Sequence, residues 1–208
     1  MYNIRLLSII FSFFILFFFC SCGNDNNFIP KPIGYLRIDL PEHSYKSFDT
    51  SYPYKFDYSL YAKVVKDTER NKEQYWINIE YPKYKAKIYI SYKTVDDNLG
   101  KYIEDSHTFI NKHIPKANSI NENTIINSKK RVFGVVYDIE GIGAASPLQF
   151  YLTDSTKKFI RGALYFNTKP NNDSIAPVIG YIKKDIARFI ESFEWKKVDS
   201  HKSIVICY

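Results

Sequence analysis

Cysteine is scarce in this chain of 208 residues: the three present are Cys20, Cys22 and Cys207. No cysteine pair is available to hold zinc, and no run of carboxylates has the spacing of a calcium-binding loop. The four histidines, His43, His107, His113 and His201, are dispersed. His107 and His113 stand six apart, which on a helix sets them on opposite faces and denies them a shared metal ion. No serine lies in a Gly-x-Ser-x-Gly context. The sequence also lacks internal repeats, low-complexity tracts and any apolar run of the roughly twenty residues that a membrane-crossing helix needs.

The longest apolar run, Leu6 to Phe19, is about fourteen residues, follows Arg5 and ends in Cys20-Ser21-Cys22. A short apolar core behind a positive residue is the pattern of a signal peptide. Ser21 directly before Cys22 is the pattern of a lipoprotein cleavage site, so residues 1–21 are expected to be removed and Cys22 to become the acylated, palmitate-type lipid anchor. More than one acyl chain, at about 0.8 kcal/mol per buried methylene, makes such anchoring stable. With Cys20 discarded and Cys22 acylated, Cys207 has no partner within the chain.

Removal of Arg5 with the leader takes the 29 basic residues to 28 against 22 acidic ones, a net of +6. The lysines are scattered among acids, and an exported chain does not meet DNA, so no nucleic-acid partner is expected. Two readings of the surplus remain: a solvated surface, or attraction to anionic head groups or cell-wall polymer beside the anchoring membrane. The organisation expected is a tether and arm over 22–46, one domain over 47–196 and a tail over 197–208. At about 150 residues that domain buries a core without disulfide help.

In the arm, Pro30, Pro32 and Pro41 enforce extended backbone. Tyr35, Leu36, Ile38 and Leu40, flanked by Arg37 and Asp39, make it too apolar for a spacer. They are expected to bury against the chain's own domain or else against a partner protein, for which Tyr35 to Leu40 are the candidate contacts. Beyond the arm, Tyr52 to Leu60 alternates as a half-buried strand, with Ala62 to Val65 as its continuation. Trp76 to Tyr81 and Ala86 to Tyr92 read as antiparallel neighbours joined at Pro82-Lys83-Tyr84.

The period changes at Leu99, Tyr102, Ile103, Ser106 and Ile110, which predicts an amphipathic helix of roughly sixteen residues capped by Asp96 or Asp97. An edge strand follows over Asn118 to Asn127, then a strand over Phe133 to Ile139. Leu148 to Leu152 and Phe159 to Phe166 form a hairpin about Asp154-Ser155-Thr156-Lys157. Residues 175–192 predict a second helix, capped by Asn171 to Ser174, with lysines and acids opposite its apolar stripe. The order of elements argues for an α+β fold, a three-layer α-β-α sandwich with a central, mainly antiparallel sheet, preceded by the extended lipid-tethered arm.

Gly141-Ile142-Gly143-Ala144-Ala145-Ser146 superficially suggests a dinucleotide loop, but Pro147 and a strand follow where a helix is required, so a close-packed turn is expected. Ser146 and Ser155 are the serines nearest turns, and no cofactor is implied. After the leader the chain holds 17 Tyr, 10 Phe and 2 Trp. That load suits protein or glycan contacts, and equally a tyrosine-rich core.

The arm Pro30 to Pro41, together with Ala86 to Tyr92, Thr153-Asp154-Ser155 and Arg161 to Phe166, resembles the gliding-motility lipoprotein family called GldD. The resemblance runs over nearly the whole chain after the leader. It implies a lipoprotein of the gliding machinery, linked to type IX protein secretion, with protein partners there and no assigned enzymatic activity; the family's anchor cysteine matches Cys22. The strand and helix order ending in Glu191-Ser192-Phe193 looks like the α-β-α sandwich of the PsbP and Mog1 proteins, a likeness of fold alone. The function expected is an accessory lipoprotein acting by protein contact, with its domain facing the periplasm because only Asp25 follows Cys22 closely. The rival is an exported hydrolase or a glycan-binding lipoprotein.

Overall fold

A computed structural model describes residues 38–68, 73–167 and 175–197. Cys22, Tyr35, Leu36, Arg37, the capping residues Asn171 to Ser174, and Cys207 lie outside the described residues. Every element below falls in one compact unit.

The short strand β1, Tyr45–Phe48, pairs antiparallel with β2, Tyr54–Ser59, and the two-residue β10, Glu194–Trp195, joins β2 on its other edge. These three make a small sheet. β1 runs across the 46/47 division that the sequence suggests, so the end of the arm is part of the folded unit. The second sheet has seven strands, all antiparallel, in the order β3-β4-β5-β9-β8-β7-β6. They are β3 Lys63–Lys66, β4 Ile77–Tyr81, β5 Ala86–Thr94, β6 Ser119–Asn127, β7 Val132–Glu140, β8 Leu148–Thr153 and β9 Lys158–Phe166.

Alternation assigns the faces. On one side Ile77, Ile79, Ile88, Ile90, Phe150, Leu152, Ile160 and Leu164 meet helix α2, Ala176–Ser192, and the inner residues Tyr54 and Phe56 of β2. On the other, Tyr137, Ile139, Tyr151 and Phe159 meet helix α1, Leu99–Asn111, through Ile110 and the partly buried Leu99, Tyr102 and Ile103. The chain is therefore an α+β sandwich with a helix on each face of an antiparallel sheet, the small sheet sharing the layer of α2. Each large apolar side chain fully buried in these layers contributes roughly 1.5–3 kcal/mol.

Five local expectations are corrected. Residues 63–66 do not continue β2 but form β3, an edge of the other sheet, after a tight turn in which the Ala62 N–H donates to the Ser59 carbonyl. That turn leaves Leu60, expected inside, 49% exposed. The cap residue of α1 is Asn98, not Asp96 or Asp97; Asn98 Oδ1 accepts the Asp96 N–H at 3.0 Å instead of a helix donor. The helix is 13 residues long and gives way to a single 3-10 turn at Ile114–Lys116, where Pro115 cannot continue an α-helical ladder. Finally, Asp185 sits on the buried side of α2, 2% exposed, rather than with the other charges on the opposite side.

The Gly141 to Ser146 segment is a close-packed turn. Gly141 has φ +152°, and a Cβ there would meet the Lys116 carbonyl oxygen at 2.4 Å, so only glycine fits.

Candidate functional site

The period-two pattern of β5 puts Ala86, Ile88, Ile90 and Tyr92 into the core and projects Lys87, Tyr89, Ser91 and Lys93 from the α1 face. In β9 the same rule sends Ile160 and Leu164 inward and turns Arg161, Ala163 and Tyr165 to that face. Seven strands at about 4.8 Å spacing span about 29 Å, whereas one helix is about 10 Å across. α1 lies over β8 and β9, and the β4–β5 side of the face stays uncovered. The result is an open groove of about 1160 Å³ between α1 and the β4–β5 hairpin.

Its floor is Tyr89, Ser91, Arg161, Ala163 and Tyr165, and its wall is Lys101, Tyr102, Asp105, Ser106 and Phe109 of α1. Five of its lining side chains are basic (Lys85, Lys87, Lys93, Lys101, Arg161) and three acidic (Asp67, Glu80, Asp105). Three of those cations lie over aromatic rings. Lys87 Nζ is 5.4 Å from the centre of Tyr89, Lys93 Nζ 5.2 Å from that of Trp76, and the Arg161 guanidinium 4.4 Å from that of Phe109. Lys87 also pairs with Glu80 at 2.9 Å and Lys93 with Glu73 at 2.5 Å. Tyr89 and Tyr165 stand edge to face, with centroids 5.7 Å apart and planes at 73°.

Arg161 also donates to Gln149 Oε1, and Gln149 Nε2 lies 2.9 Å from His113 Nε2. With its oxygen committed to the guanidinium, the buried Gln149 turns its NH₂ to His113, whose ring must then be neutral to accept. Burial, with the Arg161 charge second, holds the His113 imidazole below its ordinary value, in accord with that direction of donation. The serines of the groove are committed to carbonyls: Ser91 donates to Arg161 at 3.4 Å and Ser106 to Tyr102 at 2.8 Å. Such an arrangement has the chemistry to stack rings and pair with anions; the serine hydroxyls in it are already bonded to carbonyls.

The arm meets the opposite layer. Ile38 and Leu40 are partly buried against the main core, and Asp39 is exposed, its carbonyl accepting from Lys83 Nζ at 3.0 Å. A few residues on, His43 Nδ1 lies 2.7 Å from Asp185 Oδ1 and its ring stacks on Tyr181 at 4.2 Å. The Tyr81 hydroxyl donates to Asp185 Oδ2 at 3.1 Å. Burial, then the Asp185 charge, raises the Tyr45, Tyr81 and Tyr181 phenols, the last to about 12.

Of the two serines nearest turns, Ser146 is fully buried and donates to the Leu148 carbonyl at 3.2 Å. Ser155 is exposed at the hairpin tip, its φ of 65° set by the turn. Among the described residues no group of His, Cys, Asp or Glu could hold a metal ion, and no helix is long and apolar enough to cross a membrane. The groove itself was missed in the sequence. Its signal was a tyrosine on the polar side of each of two strands, Tyr89 and Tyr165, where the other side already supplied the core.

Fold and groove together define a class: an α+β sandwich with one open basic and aromatic face. The family is given by a model for the gliding motility lipoprotein GldD, which matches residues 25–195, and the chain belongs to that family. Membership makes it a membrane-associated lipoprotein of gliding motility. Among curated proteins none matches. The solution structure of cyanobacterial PsbP (CyanoP) from Synechocystis sp. PCC 6803 is similar over 79% of this chain and 97% of that one, at 12% identity and a TM-score of 0.46.

Proposed function

We propose that this chain is an accessory protein of bacterial gliding, linked to type IX secretion, which Cys22 anchors to a membrane with the domain in the periplasm and which acts by contact with other proteins rather than by catalysis. The family match over residues 25–195 carries the reading. Support comes from the groove, whose serine hydroxyls are bonded to carbonyls, and from Ser146, which the core closes off from any substrate. The candidate partner contacts are the arm residues Tyr35, Leu36, Arg37, Ile38, Asp39 and Leu40, which follow the anchor in sequence.

A deletion strain tests it. Loss of colony spreading together with retention of type IX cargo inside the cell, both restored by the wild-type gene and by the Ser146→Ala and Ser155→Ala genes, is the expected result. Normal spreading, or failure of either serine variant accompanied by loss of turnover of an ester or glycan substrate, would overturn it.

A further inference from the structure

The uncovered half of the α1 face combines two features that a merely solvated surface does not need: fixed aromatic platforms and a surplus of cations around them. We propose that this groove binds an anionic glycan, a short run of acidic sugar rings whose apolar faces lie on Tyr89 and Tyr165 and whose carboxylates meet Lys87, Lys93, Lys101 and Arg161.

β5 and β9 are each hydrogen-bonded to a strand on both sides, so the floor offers a ligand no backbone donors or acceptors. An extended peptide draws its affinity from such groups at a sheet edge. Recognition on this floor runs through side chains alone, which suits rings with one apolar face and a rim of hydroxyls. Tyr89 and Tyr165 supply large contact area at small rotamer cost, and their edge-to-face packing holds both in place. Ala163, the Cα partner of Tyr89 and two residues before Tyr165, is 1% exposed and keeps the floor low beside the two rings.

Size points the same way. At about 1160 Å³ the groove exceeds the roughly 300–1,000 Å³ of a small-molecule pocket and is open to solvent, which leaves room for an oligomer. From Lys87 to Lys93 the strand advances about 20 Å at 3.3–3.4 Å per residue, which separates the two cations by several rings. Five basic groups against three acidic ones in the lining, with Glu73 on Lys93 as a fourth acid beside it, leave a small positive balance that sets the sign of the ligand. The pair Lys87–Glu80 is about one-third exposed on both sides, and an ion pair of that kind is worth little, so an incoming carboxylate displaces it at small cost. Arg161 is already oriented by Gln149 and Phe109, which presets its planar fork for a carboxylate.

The purified full chain in detergent micelles, titrated with oligogalacturonate, tests this, with dextran, poly-glutamate and oligodeoxythymidylate as comparison polymers. Oligogalacturonate should bind best and dextran not at all. Tyr89→Ala and Tyr165→Ala should each weaken binding at least tenfold with an unchanged circular-dichroism spectrum. Lys101→Gln, an exposed change on α1 without risk to the fold, should weaken it several-fold and flatten its salt dependence. Equal binding of poly-glutamate with no loss in the tyrosine variants would mean an acidic polypeptide held by charge alone, and would overturn the proposal. Preference for oligodeoxythymidylate, or no binding of oligogalacturonate, would overturn it as well.

Discussion

His43 of the arm and Asp185 of α2, 142 positions apart in sequence, meet at 2.7 Å. The Asp185 side chain is 1% exposed and its second oxygen accepts from Tyr81, so the arm supplies a partner to a buried carboxylate. Removing a partner from a buried polar group costs about 1–3 kcal/mol. His43→Ala should lower the melting temperature and speed protease cleavage between residues 38 and 46. Asp185→Ala, which strips partners from His43 and Tyr81 together, should cost more. Unchanged melting in His43→Ala would show that the pairing adds nothing to stability.

Ile38 and Leu40 pack against the same layer. Deletion of residues 28–41 exposes that surface and should destabilise the domain, by up to about 1.5–3 kcal/mol for each apolar side chain withdrawn. A truncated chain that melts as the full one does, yet no longer supports spreading, would make the arm a docking segment rather than part of the fold. Native melting with native spreading would leave it a spacer.

Acid and alkali should act through different groups. The folded state holds His113 below its usual 6.5, by burial first and the Arg161 charge second, so the unfolded chain binds the proton more readily. Stability is then complete above pH 6.5 and declines as pH falls through it. Burial alone would raise the Asp154 carboxyl, but Oδ1 accepts the backbone N–H groups of Thr156, Lys157 and Lys158 at 2.9, 2.7 and 2.9 Å, and the outcome is a value below the usual 3.8. Its contribution is present above pH 3.8 and is lost on further acidification. The raised phenols of Tyr81 and Tyr181 work in reverse, stabilising below pH 10 and losing that contribution as pH climbs through the folded value. Melting temperature against pH should therefore be a plateau with shoulders on both sides, and His113→Gln should remove the shoulder near 6.5. A shoulder that persists in His113→Gln belongs to another group.

Gly162 and Phe150 are cross-strand partners, and a Cβ at Gly162 would come within 2.2 Å of the Phe150 ring. The ring is 2% exposed and has no space to move into. Gly162→Ala should cost about 1–3 kcal/mol by overpacking, and Gly162→Ala with Phe150→Leu should regain part of it. Equal melting of Gly162→Ala and wild type would contradict the close approach.

Much of the layering was legible, because alternation in β5, β7 and β9 and the 3.6-residue period of α2 are strong local signals. Pairings between distant segments were not. Nothing near Ala86 to Thr94 announces that it lies beside Lys158 to Phe166, and the small sheet needs β10, two residues long, to reach back to β2. Asp185 escaped because an acid in an amphipathic helix reads as solvent-facing until a histidine and a tyrosine from remote segments surround it. The groove escaped for a related reason: it exists where a helix stops covering a sheet, a relation between layers that no window of sequence contains.

The anchor at Cys22 is the central claim, and its most direct test is the Cys22→Ala gene in place of the wild-type gene, with membrane fractionation and colony spreading measured together. The account predicts a chain that is made and folded but absent from the membrane fraction, in cells that do not spread. A membrane-bound Cys22→Ala chain, or cells that spread as wild type does while the chain is soluble, would contradict it.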